Sequence, residues 1–470
     1  ADTILAFFGY NESFDGPAGL ANFEAELDAW VKHTLSLAYN GTAAPRLLLV
    51  SPIAFEDHST PPSTESGPRW ELPDGKKENL NLALYAASMQ RVASKNGVGY
   101  VDLFTPSQKR YAEKRRQPKL TLNGFLPTDA GYGELAVWLA DGAFGKSPRA
   151  SKAKPDLLLE AVRDKDYFWN NDYNLVNGVH THGQRYDPFG PQNYPDEIRK
   201  TRQMMSLRDE RIHEIAHGRT KELTVDDSKT HPLPTVPTNF KRPVDYLDGV
   251  QAIGKMKIMP GYKVELFASE KEFPELRKPV QMSFDNRGRL WVAITPTYPH
   301  YTPGESRPND KILIFEDTNG DGRADKQTVF ADKLHLPIGF EIAPEGVYVS
   351  QEPNLCLLID DNHDDHADRM EILMHGFDTH DTHHAISAYS ADASGAFYLL
   401  EGRFLHSQVE TPYGPQRVND GGAWRFDPKN FRLERYIQTD VNNPWGIAFD
   451  EWEQCVLSDA SSGENYWALP

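Results

Sequence analysis

Apolar and polar positions alternate in blocks along the first third of the chain. Short continuous apolar runs, such as TILAFFG (3–9) and RLLLVSPIAF (46–55), are separated by longer stretches with helical spacing, such as LANFEAELDAWVKHTL (20–35). Continuous apolar strands between amphipathic helices are typical of a parallel sheet that is covered on both faces. Residues 1–146 are therefore predicted to form an α/β domain with a flavodoxin-like parallel sheet.

The middle of the chain is more polar and more charged. A proline near its start and a glycine just past its end predict a helix over 195–217. Ile198, Met205 and Ile212 recur every seventh residue and would bury one stripe of this helix. The stretch KTHPLPTVPTNFKRP that follows indicates an extended, proline-rich linker. Residues 147–250 are predicted to be a helical and proline-rich linker region.

Beyond residue 250 the helical periodicity disappears and a strand-turn-strand unit repeats. The run MSFDNRGRLWVAI (282–294) returns as EIAPEGVYVSQ, AYSADASGAFYLL and IAFDEWEQCVLSD. A four-stranded unit that repeats at intervals of roughly 50 residues is typical of a β-propeller blade. Residues 251–470 are therefore predicted to form an all-β propeller with about four visible blades. Because a ring must close to hide its edge strands, we expect the propeller to be incomplete in this chain.

Charge and cysteine content narrow the classes of function. The chain has 50 Lys+Arg against 68 Asp+Glu, a formal net charge of -18, so nucleic acid and anionic lipid are not expected partners. No apolar run is long enough to span a membrane, and the first residues, ADTILAFFGY, lack the basic start of a signal peptide. Cys356 and Cys455 form neither a CxxC nor a CxxCH motif, and we predict two buried thiols.

The N-terminal domain resembles a known hydrolase family. The stretches FFGYNES, LLLVSPIAFE, VDLF and LTLNGFLPTDAGYGELA occur in the order found in SGNH (GDSL-type) hydrolases. The resemblance implies that Gly9 and Asn11 form an oxyanion-like loop, in which the Asn amide donates to the reacting oxygen. The family's nucleophilic Ser lies on a first strand upstream of this loop, and the chain begins after that point.

The proton acceptor of the SGNH family is also replaced. Asn123 and Leu126 stand where the family has its Asp-x-x-His motif. A leucine cannot take a proton from a serine, so an ester hydrolase would need another base. His33 and His58 are the nearby alternatives, and we expect both to face solvent. The domain is therefore predicted to be catalytically silent.

An acidic turn, DTNGDGRAD (317–325), carries the most specific motif in the sequence. Oxygen-bearing residues at alternate positions of a tight turn wrap a hard cation, and Gly322 supplies the sharp bend. Strands flank the turn and Thr328 replaces the bidentate Glu of an EF-hand, so we predict a short calcium loop, with a solvated acidic hairpin as the alternative. The predicted calcium ligands are Asp317, Asn319, Asp321, Asp325 and the carbonyl oxygen of Arg323.

A second acidic turn, DDNHDDHAD (360–368), repeats this pattern with one change. Asp365 stands where the glycine belongs. A residue with a side chain resists the positive φ that such turns need. We therefore expect this turn not to bind a metal.

A cluster of histidines lies in HGFDTHDTHH (375–384). A metal site, a proton-transfer site and an ordinary polar loop are the alternatives, and the spacing matches no familiar zinc pattern. Imidazole titrates near neutral pH, and Asp381 is placed to orient a neighbouring ring. His383 and His384 are predicted to be the base of an alcohol-oxidising site with Asp381. Arg403 and Asn443 are expected on the same rim.

The rest of the chain resembles a family of dehydrogenases. PGYKVELFASE, SFDNRGRLWVA, GVYVSQEPNL and NNPWGIAFD are similar to large multidomain proteins of Planctomycetes-type bacteria that are classed as membrane-bound dehydrogenases. Their propellers are similar to soluble quinoprotein glucose dehydrogenases, in which a His after an Asp is the base. DTHH (381–384) resembles that site. NNPWG (442–446) resembles the family's Arg-Asn-Pro-x-Gly, with Asn442 in place of the clamping Arg.

The resemblance implies a periplasmic or extracellular dehydrogenase that oxidises a sugar-like alcohol. It implies pyrroloquinoline quinone with calcium as cofactors, and electron transfer to a cytochrome or to a haem c domain absent from this chain. Arg403, Asn442 and Asn443 would hold the cofactor. Two alternatives stay open. One is a calcium-stabilised propeller that binds carbohydrate without turnover, and the other is an SGNH-type carbohydrate ester hydrolase.

Overall fold

The computed structural model describes residues 1–59, 72–113, 119–146, 154–174, 177–181, 190, 192–235, 246–298 and 301–468. The chain divides into two compact units. The first comprises Ala1–Arg149, Glu410–Gln416 and Phe426–Leu433, and the second comprises Ala150–Val409, Arg417–Arg425 and Glu434–Pro470. The division of the sequence at residues 146 and 250 stays a prediction.

The first unit is an α/β layer structure with a parallel sheet. Strands β1, β2 and β3 pair in that order and run parallel. Val31 and Met89 pack with Leu49 on one face of the sheet, and Ala143 packs with Val101 on the other. Helices thus cover both faces, as the continuous apolar strands predicted. The elements are β1 (Thr3–Phe7), α1 (Gly16–Leu35), β2 (Arg46–Val50), α2 (Lys76–Asn96), β3 (Gly99–Val101), α3 (Phe104–Tyr111) and α4 (Asp129–Phe144).

The second unit begins with helices α5 (Pro155–Tyr173), α6 (Gly178–Thr181), α7 (Tyr194–Ala216) and α8 (Gly249–Ile253). The buried stripe of α7 is not the predicted one, because Met204 and Arg208 are buried whereas Met205 is only partly buried. Arg208 is tolerated there because its guanidinium donates to Asp164 at 2.7 Å and to Asp227 at 2.9 and 3.0 Å. None of the described helices is both long and apolar enough to cross a membrane.

Four consecutive antiparallel sheets follow in the described part of the second unit. Their orders are β4-β5-β6-β7, β11-β10-β9-β8, β12-β13-β16-β17 and β18-β19-β20, with a separate β14-β15 hairpin. The strands are β4 (Pro279–Phe284), β5 (Leu290–Ile294), β6 (Asp310–Glu316), β7 (Lys326–Leu334), β8 (Phe340–Ala343), β9 (Gly346–Gln351), β10 (Asn354–Ile359), β11 (Arg369–His375), β12 (Ser387–Ala391), β13 (Phe397–Glu401), β14 (His406–Val409), β15 (Gln416–Asn419), β16 (Gly422–Asp427), β17 (Arg432–Gln438), β18 (Pro444–Phe449), β19 (Cys455–Asp459) and β20 (Asn465–Ala468).

The first strands of successive sheets are neighbours. Strand β4 contacts β8, β8 contacts β12, and β12 contacts β18. This is the propeller-like arrangement, in which each blade turns its first strand toward a common axis. Apolar clusters fill the space between sheets, and Cys356 and Cys455 lie in two of them as free, buried thiols. The sequence predicted both the four repeats and the burial of the thiols.

The antiparallel strands sort their connections onto two edges, because each strand reverses the direction of the one before it. One edge, here called the lower edge, consists of the turns 285–289, 317–325, 344–345, 360–368, 392–396 and 450–454. The other, here called the upper edge, consists of the connections 295–298, 301–309, 335–339, 352–353, 376–386, 402–405, 439–443 and 460–464. The predicted calcium turn and the histidine cluster therefore lie on opposite edges.

Candidate functional site

A buried carboxylate orients two imidazoles on the upper edge. Thr382–His384 forms a single 3-10 turn in the connection between β11 and β12. Asp381 has no exposed side-chain surface, and its Oδ1 lies 2.7 Å from Nδ1 of His383, whose side chain is 20% exposed. The other carboxylate oxygen, Oδ2, lies 3.3 Å from Nδ1 of His384. An Asp that holds a partly accessible imidazole is the arrangement of a general base.

His384 lies deeper than His383 and ties three connections together. Its Nδ1 is 2.8 Å from the carbonyl oxygen of Arg403, and its Nε2 is 2.7 Å from Oδ1 of Asn443. Arg403 in turn donates from Nη1 to Oδ1 of Asn442 at 2.9 Å. Burial lowers the pKa of His384, and the neighbouring His383 lowers it further. The structure thus brings the six predicted site residues of the propeller-like unit together.

Asn177, which no sequence motif indicates, holds this site from a distant segment. Its side-chain Oδ1 accepts from the backbone N–H of Thr382 at 2.9 Å and from the Thr382 hydroxyl at 2.7 Å. Its own N–H donates to the carbonyl of Thr379, and the N–H of Val179 donates to that of His380. An isolated Asn in a polar region has no motif, so its role is visible only in the fold.

Two buried acids, Glu352 and Glu401, were also missed as site residues. Both carboxylate oxygens of Glu352 are buried, and burial, followed by Asp381, Asp378 and Glu401, raises its pKa well above the usual value. Burial raises the pKa of Glu401 to about 8. The hydrogen bond that the Ser407 hydroxyl donates to it at 2.5 Å lowers the pKa and offsets only part of this increase. The sequence contains a signal for Glu401, because an acid at the end of the apolar strand FYLLE indicates a buried carboxyl group.

The charge of this site does not fit pyrroloquinoline quinone. A quinone that carries three carboxylates needs cationic donors. Among the described residues, one guanidinium, that of Arg403, lies at the cluster, and it donates to Asn442. Four acidic side chains interact in the same place, namely Glu352, Asp378, Asp381 and Glu401. The described residues of this site therefore do not fit this cofactor.

The predicted calcium turn has a regular, exposed geometry on the lower edge. Oδ1 of Asp317 accepts from the N–H of Gly320 at 2.7 Å, and Oδ2 accepts from that of Gly322 at 2.8 Å. These backbone donors, Gly322 first, lower the pKa of Asp317. Oδ1 of Asn319 accepts from the backbone N–H of Asp321, and Oδ1 of Asp321 accepts from that of Arg323. The Thr318 hydroxyl donates to Oδ1 of Asp325. The oxygen atoms of all four predicted side-chain ligands thus belong to one tight turn, to which Arg323 also belongs.

The second acidic turn corrects the expectation about Asp365. Asp365 adopts a φ of 67°, close to the 87° of Gly322 at the equivalent position. Arg289 holds the conformation by donating to Oδ2 of Asp365 at 2.7 Å. Asp is also one of the few residues that tolerate the left-handed region. The aspartate therefore does not prevent the turn, and Asp360 caps the N–H of Asp365 at 2.9 Å just as Asp317 caps Gly322.

The oxyanion-like loop follows β1 in the first unit, and its donors are already engaged. The N–H of Gly9 donates to Oε2 of Glu12 at 2.9 Å. Nδ2 of Asn11 donates to Oε1 of Glu410 at 2.8 Å. A carboxylate oxygen thus receives the hydrogen bond that the resemblance assigns to a reacting oxygen. The catalytic silence of this domain stays a prediction.

His58 is more buried than expected and belongs to a polar network. Its Nε2 lies 2.9 Å from the hydroxyl oxygen of Thr121, and that hydroxyl donates to Oε2 of Glu56 at 2.8 Å. Glu56 also accepts from the N–H groups of Leu120 and Thr121. The network anchors the loop that carries Leu126, which is buried. His33, in contrast, is exposed as expected.

One family model matches part of the chain. Residues 249–470 match a domain of unknown function, DUF7133, which covers just under half of the chain and most of the propeller-like unit. No curated protein matches the chain.

Several solved structures show weak similarity. A gluconolactonase of Xanthomonas campestris is 17% identical over 38% of this chain and 54% of its own, with a TM-score of 0.27. The calcium-binding protein regucalcin of Agrobacterium tumefaciens is 12% identical over 38% of this chain and 52% of its own, with a TM-score of 0.25. A chain of the nidogen/laminin complex is 14% identical over 39% of this chain and 57% of its own, with a TM-score of 0.26. The chain thus spans little more than half of each of these proteins, and TM-scores this low do not establish a shared function.

Substitution of Gly402 is expected to disturb the site. A Cβ there would lie 2.7 Å from the Asn442 carbonyl oxygen and 2.8 Å from Cγ of His384. We expect Gly402→Ala to lower the free energy of unfolding by about 1–3 kcal/mol, the usual cost of overpacking. Gly446→Ala, whose Cβ would meet nothing within 4 Å, is the matched control. Equal midpoints for the two variants in urea denaturation would contradict the packing described here.

Glu401 is expected to make stability depend on pH. Its pKa is raised from 4.5 to about 8 in the folded chain, so the folded state holds a proton that the unfolded state has lost between these values. This stabilising contribution is complete below about pH 4.5 and is lost as pH rises through 8, at up to about 1.4 kcal/mol per pH unit.

Glu401→Gln keeps the shape of the neutral acid and removes this titration. We expect its melting temperature to exceed that of the wild type by more at about pH 8 than at about pH 5. The exposed Glu451→Gln is the control and should show no such trend. A constant difference across this range would mean that Glu401 is ionised in the folded protein.

Proposed function

We propose that the upper edge binds a sugar-like alcohol and that Asp381 and His383 remove the proton from one of its hydroxyl groups. The observation that supports this proposal is the 2.7 Å contact between a fully buried carboxylate and a partly exposed imidazole. Glu401 and Glu352 surround the pair with acids whose pKa values are raised.

The pair divides the work between its two members. The Nδ1–H of His383 donates to Asp381, which fixes the tautomer in which Nε2 is the proton acceptor. The carboxylate then stabilises the imidazolium that forms. On the rim, the guanidinium of Arg403 and the amides of Asn442 and Asn443 offer donors and acceptors that suit a ligand rich in hydroxyl groups.

Loss of the hydroxyl proton prepares a dehydrogenation. The alcohol becomes a carbonyl when the carbon-bound hydrogen leaves as hydride to a two-electron acceptor. The charge of the site argues against a quinone carboxylate as that acceptor, and a cytochrome or haem c partner outside this chain stays a prediction. In an assay, a redox dye supplies the acceptor.

Turnover should depend on His383. With a panel of aldoses and small alcohols and a redox dye, we expect His383→Ala to lower kcat by about 100- to 10,000-fold, the range for loss of a general base. His33→Ala, an exposed histidine in α1, is the control and should match the wild type. Dye reduction by the wild type that survives in His383→Ala would exclude His383 as the base.

Binding without turnover is the second candidate, and the rim donors favour it. If no sugar reduces the dye, saturable binding of an oligosaccharide that is weakened by Arg403→Ala would support a carbohydrate-binding propeller. The Arg403 guanidinium is exposed and contacts Asn442, so the substitution leaves the core intact.

We further propose that the turn 317–325 binds calcium in a structural role. Its oxygen ligands lie on the lower edge, whereas His383 lies on the upper edge, so this calcium does not take part in the proton transfer. Its expected effect is on stability, because an ion that binds only the folded chain shifts the unfolding equilibrium.

Calcium at millimolar concentration should raise the melting temperature of the wild type. Asp321→Asn keeps an oxygen that can accept from the Arg323 N–H and removes one charge, so we expect it to lose most of this increase. Asp364→Asn makes the same change in the second turn, where Asp364 caps His366. A shift that both variants retain in full would place the ion elsewhere.

A further inference from the structure

His384 faces oxygen atoms at both ring nitrogens. Its Nδ1 is 2.8 Å from the Arg403 carbonyl oxygen and 3.3 Å from Oδ2 of Asp381. Its Nε2 is 2.7 Å from Oδ1 of Asn443. A neutral imidazole has a single N–H, so in the neutral ring one nitrogen lone pair points at an oxygen lone pair. The side chain is only 3% exposed, which leaves little room for solvent to relieve this contact.

Asn443 decides which nitrogen carries the hydrogen. Its Nδ2 donates to the Ser461 hydroxyl, and this bond keeps Oδ1 turned toward His384. The hydrogen of His384 therefore belongs on Nε2, and Nδ1 presents its lone pair to Asp381. Histidines that bind metals use this pattern, in which one nitrogen binds the ion and the other donates its N–H to an oxygen.

The neighbouring ligand atoms are close enough together to share one ion. Asp381 Oδ1 and His383 Nδ1 are 2.7 Å apart, and Asp381 Oδ2 and His384 Nδ1 are 3.3 Å apart. Atoms bound tetrahedrally to one zinc ion at about 2.0–2.2 Å lie about 3.3–3.6 Å from each other, so the second pair already has this spacing and the first pair would widen on binding. The three residues form the one His, Cys, Asp and Glu group found in the described part of the chain whose ligand atoms lie within 4.8 Å of one another.

Glu352 adds an independent observation. Both its carboxylate oxygens are buried and lack a hydrogen-bond partner among the described residues. It lies close enough to Asp381 to interact with it. Buried carboxyl groups are normally hydrogen-bonded or paired, so an acid of this kind that interacts with Asp381 points to a cation.

We infer that Asp381, His383 and His384 bind a divalent transition-metal ion through the carboxylate and the two Nδ1 atoms. Imidazole ligands select ions such as zinc, cobalt or manganese over calcium, which distinguishes this site from the oxygen-only turn 317–325. The exposed side of His383 would leave coordination positions open to a hydroxyl group or to water.

The inference deepens the proposed function, since it uses the same site. Nδ1 of His383 would then bind the ion instead of donating to Asp381. The ion would bind the hydroxyl of the ligand and lower its pKa, and would replace the hydrogen-bonded Asp381–His383 pair in activating that hydroxyl. Metal binding itself can be measured without any turnover, so the two proposals fail separately.

The test is a calorimetric titration of zinc into the full chain after removal of metals with a chelator, with excess calcium present to fill the oxygen-only turns. We expect one zinc per chain with micromolar or tighter affinity. His383→Ala and His384→Ala should each weaken binding by at least about 100-fold, and Asn443→Ala by about 10- to 100-fold. His33→Ala is the control. The cobalt(II) absorption spectrum reports nitrogen ligation and should change in the first two variants.

Circular dichroism of each variant separates a lost ligand from a lost fold, and the partly exposed His383 is the position where substitution is best tolerated. The inference is overturned if the folded wild type binds neither zinc, cobalt nor manganese. It is also overturned if the histidine variants bind as tightly as the wild type. Zinc binding without turnover of any alcohol would support the metal site and refute the proposed dehydrogenase. Turnover by chelator-treated protein that binds no zinc would support the dehydrogenase and refute the metal site.

Discussion

The reversal of direction at every antiparallel strand is the constraint on which the second unit depends. It sends alternate connections to opposite edges, so residues far apart in sequence meet when their connections share an edge. His384, Arg403 and Asn443 come from three different connections and lie within hydrogen-bond distance of one another in this way. The same rule carries the acidic turn 317–325 to the other edge. The alternation of strand direction alone therefore places the acidic turn and the histidine cluster on opposite edges of the sheets.

Burial of acid on the upper edge then determines what can bind there. Desolvation dominates the environment of Glu352 and Glu401, and it disfavours carboxylates unless a proton or a cation accompanies them. A polyanionic ligand would add like charge to this region. Hydroxyl groups and metal cations do not, and both would relieve the unpaired lone pairs around His384. The proposal of a neutral, hydroxyl-rich ligand therefore rests on electrostatics before any reaction is considered.

What the sequence could predict depended on local spacing. The β-blade repeat, the parallel sheet, the buried thiols and the grouping of DTHH with Arg403 and Asn443 all follow from periodicity or from a motif. What it could not predict depended on a distant partner. Arg208 occupies a buried stripe only because Asp164 and Asp227 meet it, and Asp365 adopts a positive φ beside Arg289. Asn177 supports the histidine turn from about two hundred residues away. Predictions from residue type alone fail for such residues, because their contribution to the free energy of folding depends on partners that are distant in sequence.

The first unit places the loop that carries Gly9 and Asn11 directly after a strand of the parallel sheet. The loop after β1 keeps its glycine and its amide, and the parallel sheet still directs them to the carboxyl ends of the strands, where such sheets bind ligands. Yet the Asn11 amide donates to Glu410, the Gly9 N–H donates to Glu12, and Leu126 is packed in the interior. One N–H of the Asn11 amide is thus engaged with a carboxylate oxygen in the place where the resemblance puts a reacting oxygen. These donors hold the loop in place, whereas the ionisable side chains of the upper edge leave the His383 imidazole partly exposed.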